Sequence, residues 1–150
     1  VTIGKEIVTK GKTVTILVVD DDKVDMRAVR HSFRELKIAN PMIEAGDGLE
    51  ALEHLRGTNG RKKVPHPCLV LLDLNMPRMG GIEFLDNLRA DPELHRTVVF
   101  VLTTSSADED RVKAYDHHIS GYVLKYRAGQ SFLDAISMLE AYWRVIEFPD

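Results

Sequence analysis

Cysteine is almost missing from this chain: one residue in 150, Cys68. A lone thiol closes no internal disulfide, which fits a reducing compartment. Cys68 stands in an apolar stretch and reads as a small buried hydrophobe. Positive charge is not in excess either. Twenty Lys and Arg against 23 Asp and Glu leave a net charge of −3. That gives no electrostatic footprint for nucleic acid, whose binders usually carry a basic face. No apolar run approaches the ~18 residues of a membrane span, and the first residues lack the apolar segment of a secretory leader. The expectation is a cytoplasmic protein with neither nucleic acid nor membrane as partner. Repeats and low-complexity tracts are lacking too. What remains is an ordinary globular balance, 44% hydrophobic and 29% charged, in a length that suits one core.

Along the chain, apolar runs alternate with helical stripes. Residues 1–12 read as a short strand or an arm, and nothing in them decides which. From Thr13 the pattern is regular. Strands are expected at Val14–Asp20, Pro41–Ala45, Cys68–Asp73, Thr97–Thr103 and Gly121–Lys125. Met26, Val29, Phe33 and Leu36 stripe a first helix over Val24–Lys37. Leu49, Leu52 and Leu55 mark a second, over Gly48–Arg56, and Ile82, Leu85 and Leu88 a third. A fourth spans Asp108–His118 with Val112 and Tyr115 on its apolar side, and a last one runs from Gln130 to about Ile146. Gly57, Gly60, Pro65 and Pro67 make residues 57–67 a loop with a solvated basic tip. The strands are unbroken apolar runs rather than alternating ones, the mark of a parallel sheet covered on both faces. The fold class is α/β, and the alternation consumes residues 13–150 as one domain after the 1–12 arm.

In such a sheet, ligands bind beyond the carboxyl ends of the strands. Asp20 and Asp21 stand there after the first strand, Asp73 and then Asn75 after the third, Thr103 after the fourth and Lys125 after the fifth. Clustered carboxylates need a cation or protons to offset them. A hard divalent ion such as Mg²⁺ takes oxygen ligands and completes its shell with phosphate oxygens and water. Lys125 can meet a phosphoryl oxygen, Thr103 offers a hydroxyl, and one carboxylate can act as nucleophile toward phosphorus.

The motifs "VVDD" (Asp20, Asp21), "LLDLNMPRMGG" (from Asp73), "VLTTS" (Thr103) and "GYVLK" (Tyr122, Lys125) resemble those of a CheY-type response-regulator receiver domain. Thr103 and Lys125 fall 30 and 52 residues beyond Asp73, as in that family. The resemblance implies a flavodoxin-like (βα)5 doubly wound sheet of order 2-1-3-4-5. It also implies a single-domain regulator rather than an enzyme with turnover of its own. Asp73 would accept a phosphoryl group from a sensor histidine kinase. Asp21 and Asp73 would ligate Mg²⁺ directly, Asn75 through its backbone carbonyl, and Asp20 through water. Thr103 and Tyr122 would act as the switch pair, Lys125 would pair with the phosphoryl group, and the output would be a shift in the face made by the fourth helix, fifth strand and fifth helix. A downstream phosphotransfer or target protein would read that shift. "SADEDRVKAYDHHISGYVLK", the long loop before the third strand and "AYWRVIEFP" resemble, more narrowly, the single-domain regulators that partner bacterial phytochrome kinases. A generic CheY-like regulator with no phytochrome link is the alternative.

One position departs from the family. Tyr126 follows Lys125 where proline, with a cis bond, is usual. The bond here is trans, or cis at a cost of ~2.5–4 kcal/mol. Asp22 and Asp25 read as a helix cap and an acidic first turn, not as metal ligands. Thr104 and Ser105 either tune water access to the pocket or serve loop packing. Of the neighbours His117 and His118, one is expected to pack and one to face water. A Mg²⁺-dependent phosphohydrolase is a rival reading, but it calls for an acid two residues after the nucleophile, and Asn75 holds that place. The last helix carries more apolar residues than one core stripe needs. Phe132, Tyr142, Trp143 and Phe148 are therefore candidates for a homodimer contact.

Overall fold

The computed structural model describes residues 6–125 and 132–149. In chain order it has β1 (Val8–Thr9), β2 (Lys12–Thr13), β3 (Thr15–Val19), α1 (Lys23–Glu35), β4 (Met42–Ala45), α2 (Gly48–Arg56) and β5 (Cys68–Leu72). Then follow α3 (Gly81–Ala90), β6 (Val98–Thr103), α4 (Asp108–Asp116), β7 (Gly121–Leu124) and α5 (Phe132–Trp143). Five strands form one parallel sheet in the order β4-β3-β5-β6-β7. With the N-terminal hairpin set aside, this is the expected order 2-1-3-4-5.

The unbroken apolar strands have a simple consequence. Successive side chains point to opposite faces, so each strand supplies two cores at once. Leu17, Val19, Val70, Leu72, Val99 and Val101 meet Leu52, Leu55, Phe84, Leu85 and Leu88 from α2 and α3. Ile16, Val18, Leu69, Leu71, Phe100 and Leu102 meet Met26, Val29 and Phe33 of α1 and Ile136, Leu139 and Trp143 of α5. Trp143 lies edge-on to Phe33 and Phe100, with ring centroids 6.3 and 5.9 Å away. β3 and β5 are buried along their whole length, as central strands covered on both faces must be.

Residues 6–13 are a hairpin rather than a free arm. β1 and β2 pair antiparallel around Lys10 and Gly11, both at positive φ. Ile7 is buried in the second core. Asn40 pins it there, accepting from Ile7 N at 2.7 Å and donating to the carbonyls of Ile7 and Val14.

α4 departs from the expected packing. Ala114 is its buried residue, while Val112 and Tyr115 are 56% and 49% exposed. A small side chain lets the helix sit close to the sheet, and that rotation turns the two larger apolar groups outward. At the end of α4, His117 is half-buried and His118 exposed, as expected. The last helix also corrects an expectation. Trp143 and Phe148 lie inside the chain's own second core, Phe148 at 3% exposure, so neither offers surface to a second copy. Tyr142 stays exposed beside Met138 and Val145. The side chain of Phe132 lies outside the described residues, as does the Lys125–Tyr126 bond. Among the described residues, no helix is long and apolar enough to cross a membrane.

Candidate functional site

The carboxyl ends of β3, β5, β6 and β7 bring Asp20, Asp73, Thr103 and Lys125 together in a buried cluster. Parallel strands in register end at one level. The first polar residue after each apolar run therefore arrives on the same rim.

Lys125 is the centre of the cluster. Its Nζ donates to Asp20 Oδ2 at 2.6 Å, to Asp25 Oδ2 at 2.8 Å and to Asp73 Oδ2 at 3.4 Å. Burial opposes the charge on Lys125, but its hydrogen bonds to Asp20 and Asp25 outweigh this and push its pKa up. It stays an ammonium. Asp73 is held from its other side as well: Oδ1 accepts from Thr103 Oγ1 at 2.7 Å and, more distantly, from Asn75 N at 3.4 Å. Asp20 Oδ1 accepts from Asp22 N at 2.9 Å. Burial drives the Asp20 carboxyl up to about 6, against the pull of Lys125 and with a further push from the charge on Asp73.

Carboxylate oxygens of Asp20, Asp21 and Asp73 lie within 4.8 Å of one another, with Asp21 exposed on the open side. The Lys125 ammonium thus meets three acids, Asp20, Asp25 and Asp73, while a fourth, Asp21, lies beside Asp20 and Asp73. The uncompensated negative charge and the all-oxygen donor set fit a hard divalent cation.

The acids sort differently from the sequence reading at one position. Asp22 is the N-cap of α1, accepting from Val24 N and Asp25 N. Asp25 is not simply a first-turn acid. Its side chain is buried and holds Lys125. The signal for this was faint: Asp25 is one residue before Met26 on a helix whose inward face also includes Val29.

A polar chain leads away from the pocket. Ser105 N donates to Thr103 Oγ1 at 3.3 Å. The Ser105 carbonyl accepts from Tyr122 Oη at 2.8 Å, and the Ser105 hydroxyl donates to Asp110 of α4 at 2.6 Å. Ser105 therefore joins Thr103, Tyr122 and α4.

The family profile of response regulator receiver domains matches residues 16–137. The chain belongs to the response regulator receiver family. Response regulator Rcp1 of Synechocystis sp. is 34% identical over 128 residues, 85% of this chain and 87% of that one. The solved Mn²⁺-bound form of Rcp1 superposes with a TM-score of 0.82 at 33% identity, covering 91% of this receiver and 99% of that chain. The phosphorylated cyanobacterial phytochrome response regulator RcpA gives a TM-score of 0.82 at 30% identity, over 91% and 98% of the two chains. The family match runs from β3 into α5 and so includes the acidic rim.

Proposed function

We propose that this receiver takes a phosphoryl group from a sensor histidine kinase onto Asp73, in a pathway whose kinase is a bacterial phytochrome. The observation that carries the reading is the double hold on Asp73, by Thr103 on one oxygen and Lys125 on the other. A nucleophilic carboxylate has to be fixed in place, and both holds do that. The phytochrome link is supported by the likeness to RcpA and to a response regulator described as in red light signaling of R. palustris, at a TM-score of 0.80 and 29% identity.

In the transfer, an Asp73 oxygen attacks phosphorus. The P–N bond of the phosphohistidine breaks, its electron pair returns to the imidazole nitrogen, and a P–O bond to Asp73 forms. Asp20, Asp21 and Asp73, with the backbone carbonyl of Asn75, would hold Mg²⁺, which supplies positive charge for the phosphoryl oxygens when bound. Lys125 neutralises the same oxygens from the protein side. Thr103 gives up its bond to Asp73 Oδ1 and donates to a phosphoryl oxygen instead. That pulls on Ser105, and through it on Tyr122 and α4. The output is a rearranged α4-β7-α5 face, read by a downstream phosphotransfer or target protein.

Acetyl phosphate tests the acceptor without any partner. Wild-type protein with Mg²⁺ incorporates phosphate, and Asp73→Asn loses at least ~100-fold of that labelling, since the amide is no nucleophile. Equal labelling of the variant would remove Asp73 from the role.

We place a homodimer contact on the exposed side of α5, through Tyr142 and Met138, with Val145 just past the helix. Tyr142→Asp would convert a sedimenting dimer to monomer. A wild-type protein that remains monomeric at high concentration counts against the contact.

A further inference from the structure

The loop after β5 carries Asn75, and its tip is tied to the start of α2. Asp47 is buried there. Its Oδ1 caps α2, accepting from Glu50 N at 2.9 Å. Its Oδ2 receives the guanidinium of Arg78, with Nε and Nη2 both at 2.6 Å. Beside this pair, Gly48 N donates to the Met79 carbonyl at 2.9 Å. No larger residue fits at 48: an added Cβ would lie 2.8 Å from Met79 Cγ and from Phe84 Cβ. At the base of the loop, Gly81 N donates to the Leu74 carbonyl at 2.9 Å. The segment from Asn75 to Gly80 is therefore fastened at both ends, and Arg78 supplies the charged fastening at its tip.

Arg78 holds its position against a backbone preference. Its φ is 61°, in the left-handed region, which costs a non-glycine residue about 1–2 kcal/mol. Glycine would sit there without strain. What arginine adds is a forked cation for a buried carboxylate, and a buried carboxylate without its partner is strongly disfavoured.

We infer that Arg78 is a positioning residue for the cation site. By clamping Asp47 it fixes the loop whose Asn75 peptide runs alongside Asp73, with Asn75 N 3.4 Å from Asp73 Oδ1. The inference rests on the reading of the Asp20–Asp21–Asp73 cluster and the Asn75 carbonyl as the cation's ligands. A purely stabilising role for the Arg78–Asp47 pair makes a different prediction. So does charge alone: removing a cation from the neighbourhood of an acidic cluster tightens divalent-ion binding.

Mn²⁺ titration of the whole protein by calorimetry, paired with thermal melts, separates these. In Arg78→Gly, Mn²⁺ affinity falls about fivefold to tenfold while the melting temperature drops only modestly, because relief of the backbone strain offsets part of the stability lost with the pair. A purely stabilising pair lowers the melting temperature and leaves Mn²⁺ affinity unchanged. Asp47→Asn, which keeps an oxygen for the cap, loses affinity by a similar factor. The double variant is no weaker than either single one, as expected of residues acting as a unit. Arg78→Lys recovers most of the affinity. Unchanged or tighter Mn²⁺ binding in Arg78→Gly overturns the positioning role, and so does an additive loss in the double variant. If the wild-type protein binds no Mn²⁺, the cation site itself is overturned and the role of Arg78 with it.

Discussion

α1 and α4 both start beside the acidic rim, yet they are attached to the sheet by different forces. α1 lays Met26, Val29 and Phe33 into the second core. α4, of nine residues, buries Ala114. Its attachments are polar. At one end Asp110 accepts from the Ser105 hydroxyl. At the other, Arg89 of α3 donates to the carbonyls of His117 and His118, at 2.7 and 3.1 Å, just past the helix. His117 also pairs with Asp86 of α3. Apolar burial is non-directional and is lost only by moving the whole helix out. Hydrogen bonds are directional and can be exchanged singly. α1 also reaches the pocket, through Asp25 and Lys125, but its apolar face fixes it, so a change at Thr103 is passed to α4, through Ser105, more readily than it displaces α1.

The largest test of this contrast is a pair of truncations. Phe33→Ala opens a cavity next to Trp143 and costs about 3–5 kcal/mol in denaturant unfolding. Tyr115→Ala on α4 removes a side chain of similar size that is half in water, and falls within about 0.5 kcal/mol of wild type. Comparable losses from the two would mean that α4 is packed as firmly as α1.

That contrast also marks how far the sequence could be read. The strands, the rim and the pocket set of Asp20, Asp21, Asp73, Thr103 and Lys125 were legible, because an unbroken apolar run fixes a strand and its first polar residue fixes the rim. The inward face of α4 was not. Three apolar residues in nine, Val112, Ala114 and Tyr115, leave the rotation of a helix open, and the bulkier two drew the assignment. Asp25 looked like an electrostatic first-turn acid because that role needs no tertiary partner, while its bond to Lys125 spans 100 residues. Nothing in the sequence singles out Arg89. Its partners, the carbonyls of His95, Thr97, His117 and His118, are visible only once α3 and α4 lie side by side.

Arg89 offers the next test. Burial without full compensation pulls its pKa below the usual arginine value, but the guanidinium stays charged at any working pH. Arg89→Met keeps much of the apolar stem and leaves those carbonyls to find water. A loss of about 2 kcal/mol is expected. The location of the loss matters more than its size. Hydrogen exchange should accelerate in α4 and the 117–120 turn, and remain unchanged in α1. Uniform acceleration across both helices would show that Arg89 supports the whole fold rather than the α4 attachment.

The smallest effect expected is at His117, and its sign is fixed by its surroundings. Burial disfavours its charge, but the Lys113 carbonyl on one ring nitrogen and Asp86 on the other outweigh burial and raise the pKa above 6.5. A group whose pKa is raised by folding stabilises the folded state fully below its unfolded pKa, and that contribution disappears as pH climbs through the folded value. Wild type should thus exceed His117→Ala in stability at pH 5.5, by no more than about 1 kcal/mol for so exposed a pair. The gap should narrow steadily above pH 6.5 and shrink in high salt. Asp86→Asn should show the same pH-dependent deficit, and the double variant should add little to it. A deficit in His117→Ala that is the same at pH 5.5 and pH 9 would assign the side chain a packing role, leaving Arg89 and Ser105 as the polar attachments of α4.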